Sequence, residues 1–203
     1  TQTSRGLGDV YKRQMNDYKN KITSLNLKSK PIFDIEDHLK YTKDWRGQYI
    51  GDAIAILKPH DKYEVSKILK FANDNEISIV PQGGNTSLCG GATPLKNSFS
   101  VIISTEKMNN IISIDKESMT ITLEPGVILS IIHEQVEKND LFFPLSLGAK
   151  GSCTIGGNLS TNAGGINVVK YGNTRDLCLG LEVVLPNGDL MNLLKILKKD
   201  NTG

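Results

Sequence analysis

Two segments of this chain are too rich in glycine to sit wholly inside ordinary helices or strands, and they restrict its fold more than any other feature. The first is Pro81–Gly91, PQGGNTSLCGG, and the second is Gly148–Gly165, GAKGSCTIGGNLSTNAGG. Glycine has no Cβ, so paired glycines let the backbone enter the left-handed region and let a bound group touch the main chain. Successive N–H groups in such turns form a nest for anions. Asn85, Thr86 and Ser87 add short neutral hydrogen-bonding groups, and Lys150 is the one charged residue in either segment. The chemistry suits a pyrophosphate held by main chain, with Gly84 and Gly157 as points of close approach. The plain alternative is that these glycines only make tight turns.

The standard phosphate motifs are missing. GxxxxGK[ST] is absent, so the chain is not a P-loop nucleotidase. GxGxxG is absent too: Gly6-Leu7-Gly8 is followed by Tyr11 where a third glycine belongs, and no strand precedes it.

Periodicity places the loops within a mixed fold. Ala53–Leu57 reads as a buried strand closed by Lys58-Pro59. Asp61 opens a helix, with Glu64 spaced for a capping box. Val65, Ile68, Leu69 and Ala72 form its apolar face. Ile77–Val80 is the next strand, which completes a βαβ unit with a parallel crossover. Ser100–Ser104 and Met119–Leu123 read as strands. Val127–Lys138 reads as a second amphipathic helix with Leu129, Ile132 and Val136 on one face. Leu181–Leu185 and Asp189–Leu193 flank Pro186-Asn187-Gly188, where Asn-Gly predicts a tight hairpin with two positive φ angles. Weaker helical signals lie at Asn16–Ser24 and Ile35–Lys40. Residues 1–14 read as a foreign scar or tail ahead of Met15, residues 15–43 as a polar, partly helical segment, and 44–203 as one domain.

Composition narrows the functional classes. The 203 residues carry 24 Lys and Arg against 22 Asp and Glu, so charge gives no case for nucleic acid or an anionic membrane. No stretch of about 18 apolar residues occurs, and no transmembrane segment is expected. Three cysteines, Cys89, Cys153 and Cys178, with no CxxC spacing, argue for reduced thiols and a cytoplasmic protein rather than a disulfide scaffold or structural zinc.

At PQGGNTSLCGGATP the sequence resembles the FAD-binding domain of the vanillyl-alcohol oxidase/p-cresol methylhydroxylase superfamily. FPLSLGAKGSCTIGGNLSTNAGG, KYGNTRD and LGLEVVLPNGD resemble its D-2-hydroxyglutarate dehydrogenase branch, among the D-lactate and glycolate-oxidase-like flavoenzymes; KDNTG matches a segment where that family continues. Ser146 and Ser87 depart from the branch, which has Asp and Gly there. The resemblance implies an α+β, two-subdomain FAD-binding fold, a smaller βαβ part followed by a more antiparallel part.

It also implies a cofactor site. Pro81, Gln82, Gly83, Gly84, Asn85, Thr86, Ser87 and Leu88 would cradle the pyrophosphate. From the second loop, Gly148, Ala149, Gly151, Ser152, Ile155, Gly156, Gly157, Asn158, Thr161, Asn162, Ala163, Gly164 and Gly165 would run along the pyrophosphate, ribityl chain and flavin. Pro125, Gly126 and Val127, with Glu182, Val183 and Val184, would lie near the adenosine end; Pro144, Tyr171 and Gly172 complete the set. Covalent relatives carry a flavin-linking His where this chain has Asn85, so FAD is expected to be non-covalent.

The implied reaction is oxidation of a D-2-hydroxy acid, D-2-hydroxyglutarate before D-lactate or glycolate, by hydride transfer to flavin N5. The electrons would pass to an acceptor such as an electron-transfer flavoprotein or quinone. The substrate domain, catalytic His and any divalent metal site of the family lie C-terminal to Gly203. His38, His60 and His133 are not spaced as ligands and read as packed or solvated imidazoles. The fragment is therefore expected to bind FAD without turning over. A non-catalytic flavin-binding module is the remaining class; a cell-wall-precursor reductase of the same fold would lack the GAKGSCTIGG and TNAGG runs.

Overall fold

Strand burial organises the first half of the molecule. The computed structural model describes residues 15–194; the Thr1–Gln14 and KDNTG readings lie outside them. Helix α1 (residues 15–23) and α2 (Ile35–Thr42) precede strand β1 (Ala55–Leu57), helix α3 (Lys62–Asp74), β2 (Ser78–Gln82) and β3 (Ser100–Ser104). The three strands form a parallel sheet in the order β1-β3-β2. All five residues of β3 are buried, as the centre of a sheet covered on both faces requires. The pleat sorts its side chains by period two. Ala55, Leu57, Val101 and Ile103 join Ile22 and Ile68 in one cluster, while Ile56 and Ile102 join Tyr41 in another. The expected βαβ unit is present, and β1 starts two residues later than its apolar run.

Helix α3 begins where its capping chemistry dictates. Asp61 Oδ1 accepts the N–H groups of Tyr63 and Glu64 at 3.0 and 2.9 Å. Glu64 is buried and does not close the expected capping box. Its two oxygens take the N–H groups of His60 at 2.7 Å and Lys28 at 2.6 Å. The carboxylate thus ties the segment after α1 to the start of α3.

The second half is antiparallel. Strands β4 (Ile111–Asp115) and β5 (Thr120–Leu123) form a hairpin with a register shift between Ile111 and Ser113. Helix α4 (Leu129–Glu137) buries Leu129, Ile132 and Val136, the three positions its periodicity singles out. Two short helices, α5 (Ile155–Ser160) and α6 (Val168–Tyr171), lie in stretches where glycine and brevity hide a helical period. A last hairpin pairs β6 (Leu181–Val184) with β7 (Leu190–Leu193).

The β6–β7 turn corrects the expected one. Gly188 alone has positive φ, at 89°, and Asn187 does not. Gly188 N–H bonds Leu185 O, and Leu185 N–H bonds Asp189 O, both at 2.8 Å. Pro186 sets its own φ near that of a type I turn, so one left-handed glycine closes the loop instead of an Asn-Gly pair. No helix among the described residues is long and apolar enough to cross a membrane.

At the carboxyl edge of the parallel sheet, Glu106 gathers three elements. It meets Lys58 Nζ at 2.9 Å and accepts the Tyr41 hydroxyl at 3.1 Å. Burial pushes its carboxyl up, but Lys58 and Tyr41 outweigh that and hold it below its ordinary value. A depressed carboxyl stabilises the fold fully above the unfolded carboxylate range and ceases to do so as pH falls through the native value. Glu106→Gln is therefore expected to cost about 1 kcal/mol at pH 7. In urea melts across pH, its gap from the parent chain should close as pH falls into the acid range; a gap independent of pH would refute the assignment.

Candidate functional site

Both glycine-rich loops meet at the carboxyl ends of β2 and β3, where ligands bind in open parallel sheets. Gln82 ends β2 and is buried. Its Nε2 donates to Tyr41 O at 2.8 Å and Ala92 O at 2.7 Å, so one amide holds both ends of the first loop and the C-terminus of α2. Thr105, just after β3, donates its hydroxyl to Gln82 O at 3.4 Å.

The first loop leaves its donors free. Among the described residues, no backbone N–H from Gly83 to Leu88 has a protein acceptor. Six consecutive unpaired N–H groups on a partly buried turn amount to a nest for an anion. Asn85 sits in the left-handed region at φ 51°, with its Nδ2 anchored on Lys43 O at 2.8 Å. Lys43 leads into a turn built on Asp44, whose buried carboxylate accepts the N–H groups of Tyr49 at 2.7 Å and Arg46 at 3.2 Å. The Tyr49 ring then covers Gly90, whose φ is 65°.

The second loop lies directly against the first. A Cβ on Gly84 would collide with Ser152 O, and one on Gly83 would collide with Thr154 Oγ1. The space a Cβ on Gly84 would take is filled by the other loop's carbonyl, so loop-on-loop packing by itself demands the glycine. A Cβ on Gly157 would meet Thr154 Oγ1 at an ordinary 3.5 Å, and one on Gly148 or Gly151 would meet nothing within 4 Å. Pro125-Gly126-Val127 lies against the second loop. Pro125 O accepts Gly156 N–H at 2.9 Å, Val127 O accepts Ile155 N–H at 3.0 Å, and Gly126 N–H bonds Met108 O at 2.8 Å.

Thr154 is the telling residue, and glycine content alone passes over it. It is 6% exposed and precedes α5, yet its hydroxyl caps no N–H and has no partner. A buried orphan hydroxyl costs free energy unless something satisfies it. It belongs to the second loop and lies against Gly83, where the run of unpaired N–H groups begins. Donors without acceptors, an orphan hydroxyl and no carboxylate in either loop fit the diphosphate of FAD. Cys153 next to it is buried, which pushes its thiol above the ordinary range, and Asn158 Nδ2 approaches its sulfur at 3.6 Å; it is a packing group.

The remaining expected residues fall at varying distances from this centre. Asn158, buried, accepts Ala163 N–H at its carbonyl, and Thr161 bonds back to Gly157 O. Pro144 O accepts Asn167 Nδ2 at 2.9 Å, and a Cβ on Gly165 would collide with Ser146 O. Tyr171 packs edge-on against Phe142, with ring centroids 6.0 Å apart, and Gly172 has φ 81°. Glu182, Val183 and Val184 sit apart. Glu182 pairs with Lys62 of α3 at 2.6 Å, and Val184 lines an apolar groove with Leu69, Ile77 and Ile79. No hydrogen bond among the described residues joins their hairpin to either loop.

The histidines are held by neighbours. His38 Nε2 meets Ile32 O at 3.0 Å, His60 Nε2 meets Ser29 Oγ at 2.7 Å, and His133 Nε2 meets Leu145 O at 2.8 Å. His38 is buried despite its polar surroundings in sequence. Among the described residues no three His, Cys, Asp or Glu side chains are grouped to hold a metal ion.

Comparison with known proteins agrees with this geometry. The chain is 44% identical over 160 residues to the mitochondrial D-2-hydroxyglutarate dehydrogenase of Danio rerio, an alignment covering 79% of this chain and 30% of the relative. A Schizosaccharomyces pombe relative, named as a mitochondrial D-lactate dehydrogenase, is 42% identical over 160 residues, with the same shares. The chain thus spans under a third of the length of these relatives. Among solved structures it is similar to p-cresol methylhydroxylase, with a TM-score of 0.71 and 25% identity over 87% of this chain and 34% of that one. These findings bear out the α+β, p-cresol methylhydroxylase-type fold.

They overturn the cytoplasmic expectation, because both relatives are named as mitochondrial proteins. Unpaired cysteines argue against an oxidising compartment, and they do not tell one reducing compartment from another. A family model described as FAD binding domain matches residues 53–194, which is most of the chain and contains both glycine loops, so the chain belongs to the FAD binding domain family.

Proposed function

We propose that this chain is the FAD-holding part of a dehydrogenase that oxidises a D-2-hydroxy acid, D-2-hydroxyglutarate foremost, to the 2-oxo acid in a mitochondrial setting. One observation carries the cofactor reading: the run of N–H groups without a protein acceptor, Gly83–Leu88, begins against the orphan hydroxyl of Thr154. The relatives' names support the substrate class, and the S. pombe relative supports D-lactate as the second reading. When bound, FAD would supply the acceptor for the substrate hydride. This chain's own share is to bind and orient it. The nest would neutralise the diphosphate, and Gln82 and Asn85 would keep the first loop in shape. An electron-transfer flavoprotein or quinone would then take the electrons.

FAD is held without a covalent bond in this reading, since Asn85 stands where covalent relatives have a linking His. Acid precipitation of the FAD-loaded chain is expected to leave all its yellow colour in the supernatant; flavin retained in the pellet would overturn this. Thr154→Val removes one hydroxyl at constant volume. It is expected to weaken FAD binding about tenfold, the worth of one hydrogen bond. The melting temperature of the FAD-free variant should hold or rise, because the lost hydroxyl has no partner there. Unchanged affinity would remove Thr154 from the site.

The chain by itself is expected not to turn over. All three histidines are occupied by main-chain or serine oxygens, and a missing general base alone costs about 10²–10⁴ in rate. Neither D-2-hydroxyglutarate, D-lactate nor glycolate should bleach the flavin of the loaded chain under anaerobic conditions. Bleaching would place catalytic groups within these residues. In a protein carrying this segment at its relatives' full length, a higher kcat/KM for D-lactate than for D-2-hydroxyglutarate would favour the second reading.

A further inference from the structure

The Thr161–Gly165 turn of the second loop contains two residues in the left-handed region, Asn162 at φ 50° and Gly165 at φ 124°. For asparagine that conformation costs about 1 kcal/mol, so the turn holds its shape only if outside contacts fix it. Asn173–Asp176 supplies them. Asn173 and Asp176 close a capping box around a short 3-10 turn, with Asn173 N–H on Asp176 Oδ2 at 2.8 Å. Thr174, 1% exposed, donates both its N–H and its hydroxyl to Ala163 O, at 3.0 and 2.6 Å. Arg175 N–H bonds Asn162 Oδ1 at 3.0 Å.

The Arg175 side chain does something different from its neighbours. Its Nε donates to Leu159 O at 3.0 Å and its Nη2 to Ser160 O at 2.8 Å. These carbonyls belong to the last turn of α5, whose end is electronegative; Leu159 O also accepts the Asn162 N–H at 3.2 Å, whereas Ser160 O has no backbone donor among the described residues. Two adjacent carbonyls need two donors at a fixed angle, which a guanidinium has and an ammonium lacks. The side chain is exposed and belongs to no hydrophobic cluster, so its contacts act on the loop and not on the core.

We propose that Arg175 is a positioning residue for the cofactor: its two-carbonyl fork closes the end of α5 onto the Thr161–Gly165 turn and holds the second loop in the form that takes FAD. The proposal rests on the FAD reading above. Without the fork, α5 and the turn spend part of their time open. The apparent dissociation constant then rises as the reciprocal of the closed fraction. A loop closed one-tenth of the time binds about tenfold more weakly, with no contact to the ligand removed.

The test uses the 203-residue chain as parent, Arg175→Ala and Arg175→Lys, each freed of flavin. Three quantities are read: FAD affinity by flavin fluorescence, the melting temperature without FAD, and amide exchange over residues 159–165. Both variants are expected to bind FAD about tenfold more weakly and to exchange faster over 159–165. Their melting temperatures should stay within about 2 °C of the parent, as for an exposed side chain outside the core. Methylguanidinium added to Arg175→Ala should restore affinity, whereas Arg175→Lys, its space occupied, should not respond. Parent-like affinity in both variants overturns the proposal and leaves the FAD reading standing. A large drop in melting temperature without methylguanidinium rescue also overturns it, in favour of a purely structural role. A parent chain that binds no FAD overturns both.

Discussion

Main chain crossing main chain at less than side-chain distance is the constraint on which the site depends. Gly84 meets the Ser152 carbonyl, Gly126 meets those of Thr105 and Met108, Gly156 meets Pro125, and Gly165 meets Ser146. At each crossing a Cβ would collide, so a residue without one is required. Because Gly126 sits on Thr105 and Gly156 sits on Pro125, these contacts also join the antiparallel half to the edge of the parallel sheet. The same glycines that make the cradle weld the two halves together, and a substitution at one of them would act on both.

Around those crossings the polar accounting is nearly complete, and its exceptions lie in or beside the two loops. Gln82 spends its amide on Tyr41 and Ala92, Asp44 on the N–H groups of its own turn, and Glu64 on Lys28 and His60. Each is buried and each is satisfied, as a folded interior requires. The N–H groups of Gly83–Leu88 have no protein acceptor, and among the described residues the buried hydroxyls of Thr93, just past the first loop, and Thr154, against Gly83, have no partner. Most buried groups serve the fold, and the unsatisfied ones are available to a ligand. The second loop, with left-handed residues at both ends of one turn, depends in addition on Thr174 and Arg175.

Much of the fold was legible from apolar spacing. The Ser100–Ser104 run reads as a strand and is the buried centre of the sheet; Leu129, Ile132 and Val136 read as one face and are the buried face of α4. Helices α5 and α6 were not legible. Six residues with two glycines, or four residues alone, make no period to detect, and their helicity comes from neighbours. Strand β4 was likewise missed, since its half-exposed residues show little contrast. The Asn187-Gly188 pair pointed to the hairpin correctly and to the wrong turn type, because Pro186 chose the turn.

By itself the sequence determined that the first of two glycine-rich loops would follow a strand, that both were suited to main-chain contact with an anionic group, and that neither standard nucleotide motif applied. Those properties follow from missing Cβ atoms and residue order, which need no third dimension. Tertiary structure alone decided that the loops pack on each other, that Gly84 lies against the Ser152 carbonyl, and that Thr154 ends with an unanswered hydroxyl. It also decided that Arg175 serves a helix end fifteen residues upstream. Hydrogen-bond satisfaction is a property of what surrounds an atom, and residues distant in sequence supply most of that surrounding here.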